Sequence, residues 1–374
     1  MKNMLLPHNK RNNMKLKFSF FLCLLLPLFT FARIGDVTYK RTITKEFTVS
    51  AGAVFNVSNK YGKVIFHTWS KNEIKAVIAV TGFGKTDTEA QGIAEMVEID
   101  AEQNGGEVAL RTRYNPTKSG SSWFSWSNGR RDSKEYVNID YDVYIPQSLA
   151  RLKVSNQFGD VLADRLNFPA EMALSYCTFD IREAEDLNLR ISYCDKGKIG
   201  KAGKVNIQSS YSKVRADQVS AWITSSSYSD FEIGNAADVQ FDVTYGDAKF
   251  EKVGNLSGKV TFTDIKILEL LESINYKGTY ADIKVNKVAT SLKNAEFVLT
   301  YSDLRMNVAR RQPLQLQAKM VNGDLKTGGL DLKNVVSNKS TSSLSYTAQA
   351  GGGSEQSPRI IIKGVQSDAK LDVY

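Results

Sequence analysis

The chain has 374 residues, with 49 Lys and Arg against 40 Asp and Glu, a formal charge of +9, three Cys and two His. The first 32 residues hold five of the bases and no acid, so the remaining 342 carry only +4 and give no argument for a nucleic-acid partner. His67 is the single His beyond residue 32, which excludes mechanisms there that need a His pair or a His-rich metal site.

Residues 1–32 place Lys15 and Lys17 before the apolar run Phe18 to Phe31, with the small residue Ala32 at its end. This is the pattern of a secretory signal peptide, and the apolar run is short for a membrane span. Cys23 follows Phe20-Phe21-Leu22, which lacks the small residues that precede a lipid-modified Cys. The expectation is a soluble exported protein, in the periplasm or at the cell surface, with no transmembrane segment in the mature chain.

Residues 33–150 read as an irregular opening and capping part. Val54-Phe55-Asn56-Val57 alternates before Asn59-Lys60-Tyr61-Gly62-Lys63-Val64, and Ile74 to Thr81 reads as another strand. Thr86-Asp87-Thr88-Glu89 is a capping-box pattern, and Ala90, Ile93, Ala94 and Val97 follow at helical spacing, so one helix is expected. Its place among strands fits a cap over an open strand edge. Residues 115–134 then interrupt the strands with Pro116, Gly120, Trp123, Phe124, Trp126, Arg130 and Arg131. Aromatic faces and Arg forks of this kind either form a binding tip for a glycan or protein, or fold back over an apolar edge. Val137 to Ile145 alternates as a strand that Pro146 ends.

From residue 151 to 336 one pattern dominates. Phe158, Tyr176, Tyr193, Tyr211, Tyr228, Tyr245, Phe262 and Tyr280 recur every 17 or 18 residues, each followed by a small residue, usually Asp, and an apolar-polar-apolar run. Tyr301 and Asn322 continue it at a spacing of 21. So short a unit cannot bury its own apolar face, and stacking is required. The predicted fold is all-β, a parallel β-helix or β-solenoid, with Phe179/Ile181, Val214/Ala216, Phe231/Ile233, Ala248/Phe250, Ile265/Ile267, Ile283/Val285 and Leu304/Met306 as inward columns. Residues 337–374 read as a mobile polar loop, Ser337 to Pro358, and a terminal coil in which Gln366-Ser367-Asp368 repeats the unit without its aromatic residue.

The recurring Asp of the corner, Asp160, Asp195, Asp230, Asp247, Asp264, Asp282, Asp303, Asp324 and Asp368, is the candidate for special chemistry. Stacked carboxylates could bind Ca²⁺, with Asp230, Asp247 and Asp264 the best placed. Against this, Lys249, Lys266, Lys284, Arg305, Lys326 and Lys370 stand two places further along and would neutralise the acids, leaving a structural role. The rings either face outward as a ribbon or tuck in as packing, and recurrence in every unit points to packing. Cys177 and Cys194 fall in adjacent units, so a disulfide is conceivable, although in-register side chains fit its dihedral poorly. His67 is expected to point outward as an ordinary polar residue. No catalytic constellation, phosphate-binding loop or cofactor motif is present.

The signal-like start, the Tyr/Phe-small-Asp corner at 17 to 18 residues and Asn59-Lys60-Tyr61-Gly62-Lys63-Val64 together resemble the bacterial putative-adhesin family of exported β-helical domains. That resemblance implies a cell-envelope location and a binding or scaffolding role toward a surface glycan or envelope protein, with no catalytic residue or cofactor. The alternatives are a lyase-like β-helix enzyme acting on polysaccharide and an envelope signalling partner.

Overall fold

The computed structural model describes residues 37–115 and 136–374. The signal-like segment 1–32 and the loop residues Trp123, Phe124, Trp126, Arg130 and Arg131 lie outside the described residues. Residues 37–374 form one compact unit, all-β with a single described helix, whose strands belong to one unclosed 21-stranded sheet.

The opening part contains β1 (Val37–Thr48), β2 (Val54–Lys60), β3 (Val64–Trp69), β4 (Glu73–Gly84), α1 (Asp87–Glu95), β5 (Val97–Asn104), β6 (Glu107–Tyr114) and β7 (Tyr136–Pro146). β2 and β3 flank Tyr61 and form one layer, with β6 and β7 parallel to them on one side. β4 runs antiparallel to both β7 and β1, and β5 antiparallel to β6. The helix begins where the capping pattern places it: Thr86 Oγ1 accepts the Glu89 amide at 3.2 Å, while the Glu89 carboxylate accepts the Lys85 amide at 2.9 Å. It buries Ala90, Ile93 and Ala94 against β4. The contact is close because β4 carries Gly82, where a Cβ would lie 2.1 Å from the Ala90 carbonyl oxygen.

The repeats follow as β8 (Arg151–Leu166), β9 (Ala170–Ser192), β10 (Lys196–Ser210), β11 (Lys213–Ser227) and β12 (Asp230–Thr279). β8 lies parallel to β2 and β3 on their other side. From there each unit pairs in parallel with the next, so that Leu152 faces Ala170, Gly197 faces Val214 and Lys213 faces Asp230. Alternation along each strand turns one side chain in two inward. Every predicted inward pair is buried. Trp222, Phe231, Phe241 and Phe250 meet edge to face at 5.4–6.0 Å inside the stack. Each fully buried aliphatic or Phe side chain contributes roughly 1.5–3 kcal/mol, which offsets the ordering of a short unit.

The remaining strands are β13 (Ile283–Val285), β14 (Asn294–Thr300), β15 (Leu304–Val308), β16 (Leu314–Val321), β17 (Leu325–Thr327), β18 (Leu332–Lys339), β19 (Ser343–Ala350), β20 (Arg359–Val365) and β21 (Ala369–Val373). Here the structure departs from the order read in the sequence. β20 pairs in parallel with β14 on one side and β16 on the other, and β21 lies between β15 and β17. The unit of Gln366 is therefore intercalated between those of Tyr301 and Asn322 rather than stacked last. The polar stretch expected as a loop is also partly strand: β18 and β19 pair antiparallel, and β19 covers β16. Its Ser, Thr and Asn content concealed a solvent-facing strand, β18, and an alternating one, β19, which buries Leu344, Ala348 and Ala350.

Intercalation makes β20 and β21 a separable filling of a slot, with Ile360, Ile362, Ala369 and Leu371 buried in it. A chain cut after Ser357 should lose at least roughly 5 kcal/mol of stability from that burial alone. A synthetic Arg359–Tyr374 peptide, added in trans and followed by thermal denaturation, should restore most of the melting temperature.

Candidate functional site

The corner of each unit turns on its aromatic residue. Tyr61, Phe158, Tyr176, Tyr193, Tyr211, Tyr228, Tyr245, Phe262, Tyr280 and Tyr301 all have φ between 49° and 65°, the left-handed region, as do Asn322 and Gln366. That conformation throws the side chain outward. From Phe158 to Tyr301 the rings are 40–51% exposed, which corrects the expectation that they pack inward. They pack on one another instead: centroids from Phe158 to Tyr301 are 4.7–5.1 Å apart, with interplanar angles of 2–6° beyond the first pair. Tyr61 continues the stack below Phe158 at 5.4 Å. Each inner ring has both faces covered by neighbours, so the ridge offers edges and phenol hydroxyls rather than open faces.

The slot after each ring admits only small residues, since a Cβ on Gly159 would meet the Gly62 carbonyl oxygen at 1.8 Å. Its hydroxyls bridge units: Ser212 Oγ accepts the Cys194 amide at 3.1 Å, Ser229 Oγ the Ser212 amide at 3.2 Å and Ser302 Oγ the Ala281 amide at 2.9 Å. Cys177 and Cys194 occupy this slot as free, buried thiols. Burial raises both above the usual thiol range, Cys194 to about 11, so neither is an activated nucleophile.

On the far side of the ridge the acids form a ladder. Asp230 Oδ1 accepts the Asp247 amide at 3.0 Å, Asp264 the Asp282 amide at 3.0 Å, Asp282 the Asp303 amide at 2.8 Å, Asp303 the Asp368 amide at 2.9 Å, and Asp368 the Asp324 amide at 2.8 Å. Among the described residues, no ion pair joins these acids to Lys249, Lys266, Lys284, Arg305, Lys326 or Lys370. Amide donation engages five of the acids instead, and Asp324 pairs with Lys339 at 2.6 Å. Asp195 falls out of register, because the pairing sets Lys196 opposite Thr178. No group of three potential metal ligands occurs among the described residues, and the Oδ1 atoms of Asp230 and Asp264 are already engaged by amides. With the alternating bases, these side chains line a groove of about 520 Å³.

On the near side of the ridge two adjoining cavities, about 520 and 880 Å³, share Ser155, Ala173, Arg190 and Gln208. They form one trough on the outer face of β2, β8, β9, β10 and β11. Its residues were passed over in the sequence, although a signal was available: the residue before each ring is Ser175, Ser192, Ser210 and Ser227, then Thr244, Thr261, Thr279 and Thr300. His67 lies apart from both grooves and points outward from β3, where it is held by surface acids and a neighbouring ring. Its Nε2 is 2.8 Å from Asp142 Oδ1, its Nδ1 is 3.5 Å from Asp164 Oδ2, and its ring stacks on Tyr144 at 4.9 Å.

No protein-family profile matches the chain, and no curated protein matches it. Solved structures do. The chain is similar to a putative adhesin from Parabacteroides merdae (12% identity, covering 72% of this chain and 92% of that one, TM-score 0.36). It is also similar to a putative lipid binding protein from Parabacteroides distasonis (13% identity, 71% and 95% covered, TM-score 0.37). A third is a putative cell adhesion protein from Clostridium sporogenes (9% identity, 90% and 100% covered, TM-score 0.21). The adhesin names coincide with the family that the sequence resembles. At these TM-scores the likeness carries no argument about this chain. No described helix is long and apolar enough to cross a membrane.

Two measurements check the site. Tyr211 has φ 49°, a conformation that costs a non-glycine residue about 1–2 kcal/mol. Tyr211→Ala keeps that cost and loses two stacking contacts, so it should melt below Tyr211→Gly, which keeps only the second loss. Burial, then the carboxylates of Asp230 and Asp264, raises the pKa of Asp247. A raised acid stabilises the fold at low pH, and that stability is lost as pH rises through the folded value. Asp247→Asn should therefore melt higher than the parent at pH 7, and the difference should vanish well below the ordinary Asp value of 3.8.

Proposed function

We propose that this is an exported, non-enzymatic β-solenoid that binds or scaffolds at the bacterial cell envelope, in the manner of an adhesin. The observation that carries the reading is repetition: successive units present the same outward feature, the edge of a stacked ring, at the spacing of adjacent strands. Such a surface suits an extended partner held along many equivalent positions, whereas catalysis needs one unlike point. The parallel register of 17 or 18 residues from β8 to β12 supports the solenoid geometry. The pattern of residues 1–32 supports export.

Two readouts test it. Expressed from its own start with a C-terminal tag, the protein should fractionate outside the cytoplasm with a mass that lacks residues 1–32; retention of the full mass in the cytoplasm would contradict export. On glycan arrays and isolated envelopes the purified protein should bind, and a variant with Trp123, Phe124 and Trp126 changed to Ala reports whether that loop contributes. Absence of binding to any surface, at an unchanged melting temperature, would contradict the adhesin-like reading.

A further inference from the structure

We propose that the trough on the near side of the ring ridge binds a linear acidic polysaccharide, a hydroxyl-rich chain bearing carboxylate or sulfate groups. This rests on the binding reading above and assigns it a place and a ligand class.

Shape comes first. The two cavities cross seven strand layers in succession: β6, β2, β8, the two halves of β9, β10 and β11. At about 4.8 Å per layer the trough is roughly 29 Å long, a length suited to several sugar units in a row. The ridge borders it, because Gln157, Ser175, Ser192, Ser210 and Ser227, which line it, each directly precede a stacked ring.

Charge comes next. The acid in the trough, Glu171, is committed to Arg151 at 3.0 Å, and Arg111 is committed to Glu102 at 3.2 Å. Lys153 and Arg190 line the trough and have no carboxylate partner among the described residues. The uncommitted charge is therefore positive, and one of the two cations is a planar fork that matches a carboxylate or sulfate with paired hydrogen bonds. Around these cations stand Asn206, Gln208 and the Ser row, amides and hydroxyls that match a polyol. Asn56 Oδ1, also in the lining, is buried without a partner.

Other polymers fit less well. An extended peptide gains most of its affinity from a free strand edge, but the strands here pair on both sides along the stack, as β2 does with β6 and β8. Nucleic acid binds through many phosphate contacts, and two free cations over roughly 29 Å are too few. A neutral glycan would leave Lys153 and Arg190 desolvated without a counter-charge.

The test uses the purified protein with three probes: polygalacturonate for carboxylate, dextran sulfate for sulfate, and unmodified dextran as the neutral control. Binding is followed by biolayer interferometry at two salt concentrations. The proposal predicts binding to at least one acidic polymer and none to dextran. Lys153→Ala combined with Arg190→Ala should weaken it by about tenfold or more, Arg190→Lys should weaken it in part, and Lys266→Ala with Lys284→Ala in the far groove should leave it within about twofold. All these side chains face solvent, and matched melting temperatures confirm an intact fold. Equal binding to dextran, an unaffected double variant, or an equal loss from the far-groove variant would each overturn the proposal. If the protein adheres to envelopes while the trough variant is unchanged, the trough falls and the binding reading stands. If the parent adheres to nothing, both fall.

Discussion

A left-handed backbone corner, held by rings that stack only when their neighbours adopt the same corner, is the constraint on which the rest of the structure depends. An aromatic residue at φ near 50° pays about 1–2 kcal/mol for that conformation, and one offset pair of rings returns about 0.5–1.5 kcal/mol. A single corner therefore has little to gain, whereas an inner ring, stacked on both faces, covers its cost. Around the bend, where regular strand pairing fails, two side-chain ladders take over: the slot Ser Oγ atoms and the Asp Oδ1 atoms accept amides from the adjacent unit. Asn322, a residue that tolerates the left-handed region, turns a corner without a ring near the end of the stack.

That constraint explains what was legible in the sequence. Burial of alternate residues in a repeated strand is a local pattern, so the inward columns from Phe179/Ile181 to Leu304/Met306 could be read directly and all are buried. Thr86 and Glu89 likewise announce the helix within four residues. Ring direction could not be read so, because it is set by the sign of φ, and a Tyr in a strand-rich sequence does not advertise a left-handed backbone. The place of Gln366 was also hidden: its unit has the same corner as the others, and only the pairing of β20 and β21 with strands on both sides reveals the intercalation. The Lys196 register, one residue off from the expected Asp195, shows how an added residue at a corner shifts a column without disturbing the core.

Outward chemistry follows from the same geometry. Because equivalent residues fall into columns, a sequence change in one unit alters one row of an otherwise regular surface. The far groove keeps its alternation of acids and bases through the later units. The near trough is irregular by comparison: Lys153 and Glu171 share a register position with Asn56, and Arg190 and Gln208 share one with Ser225. Departures of this kind from a repeat mark where a binding surface acquires specificity, and they distinguish the near trough from the far groove.

Amide hydrogen exchange tests the stacked corner most directly. The corner amides of Tyr193, Tyr211, Tyr228, Tyr280 and Tyr301 donate to carbonyl oxygens of the adjacent unit at 3.0–3.3 Å, although their side chains are half exposed. They should exchange as slowly as amides of the buried strands, in a protected row that runs the length of the stack. Exchange at the rate of open surface turns, with protection confined to the strands on either side, would contradict the account.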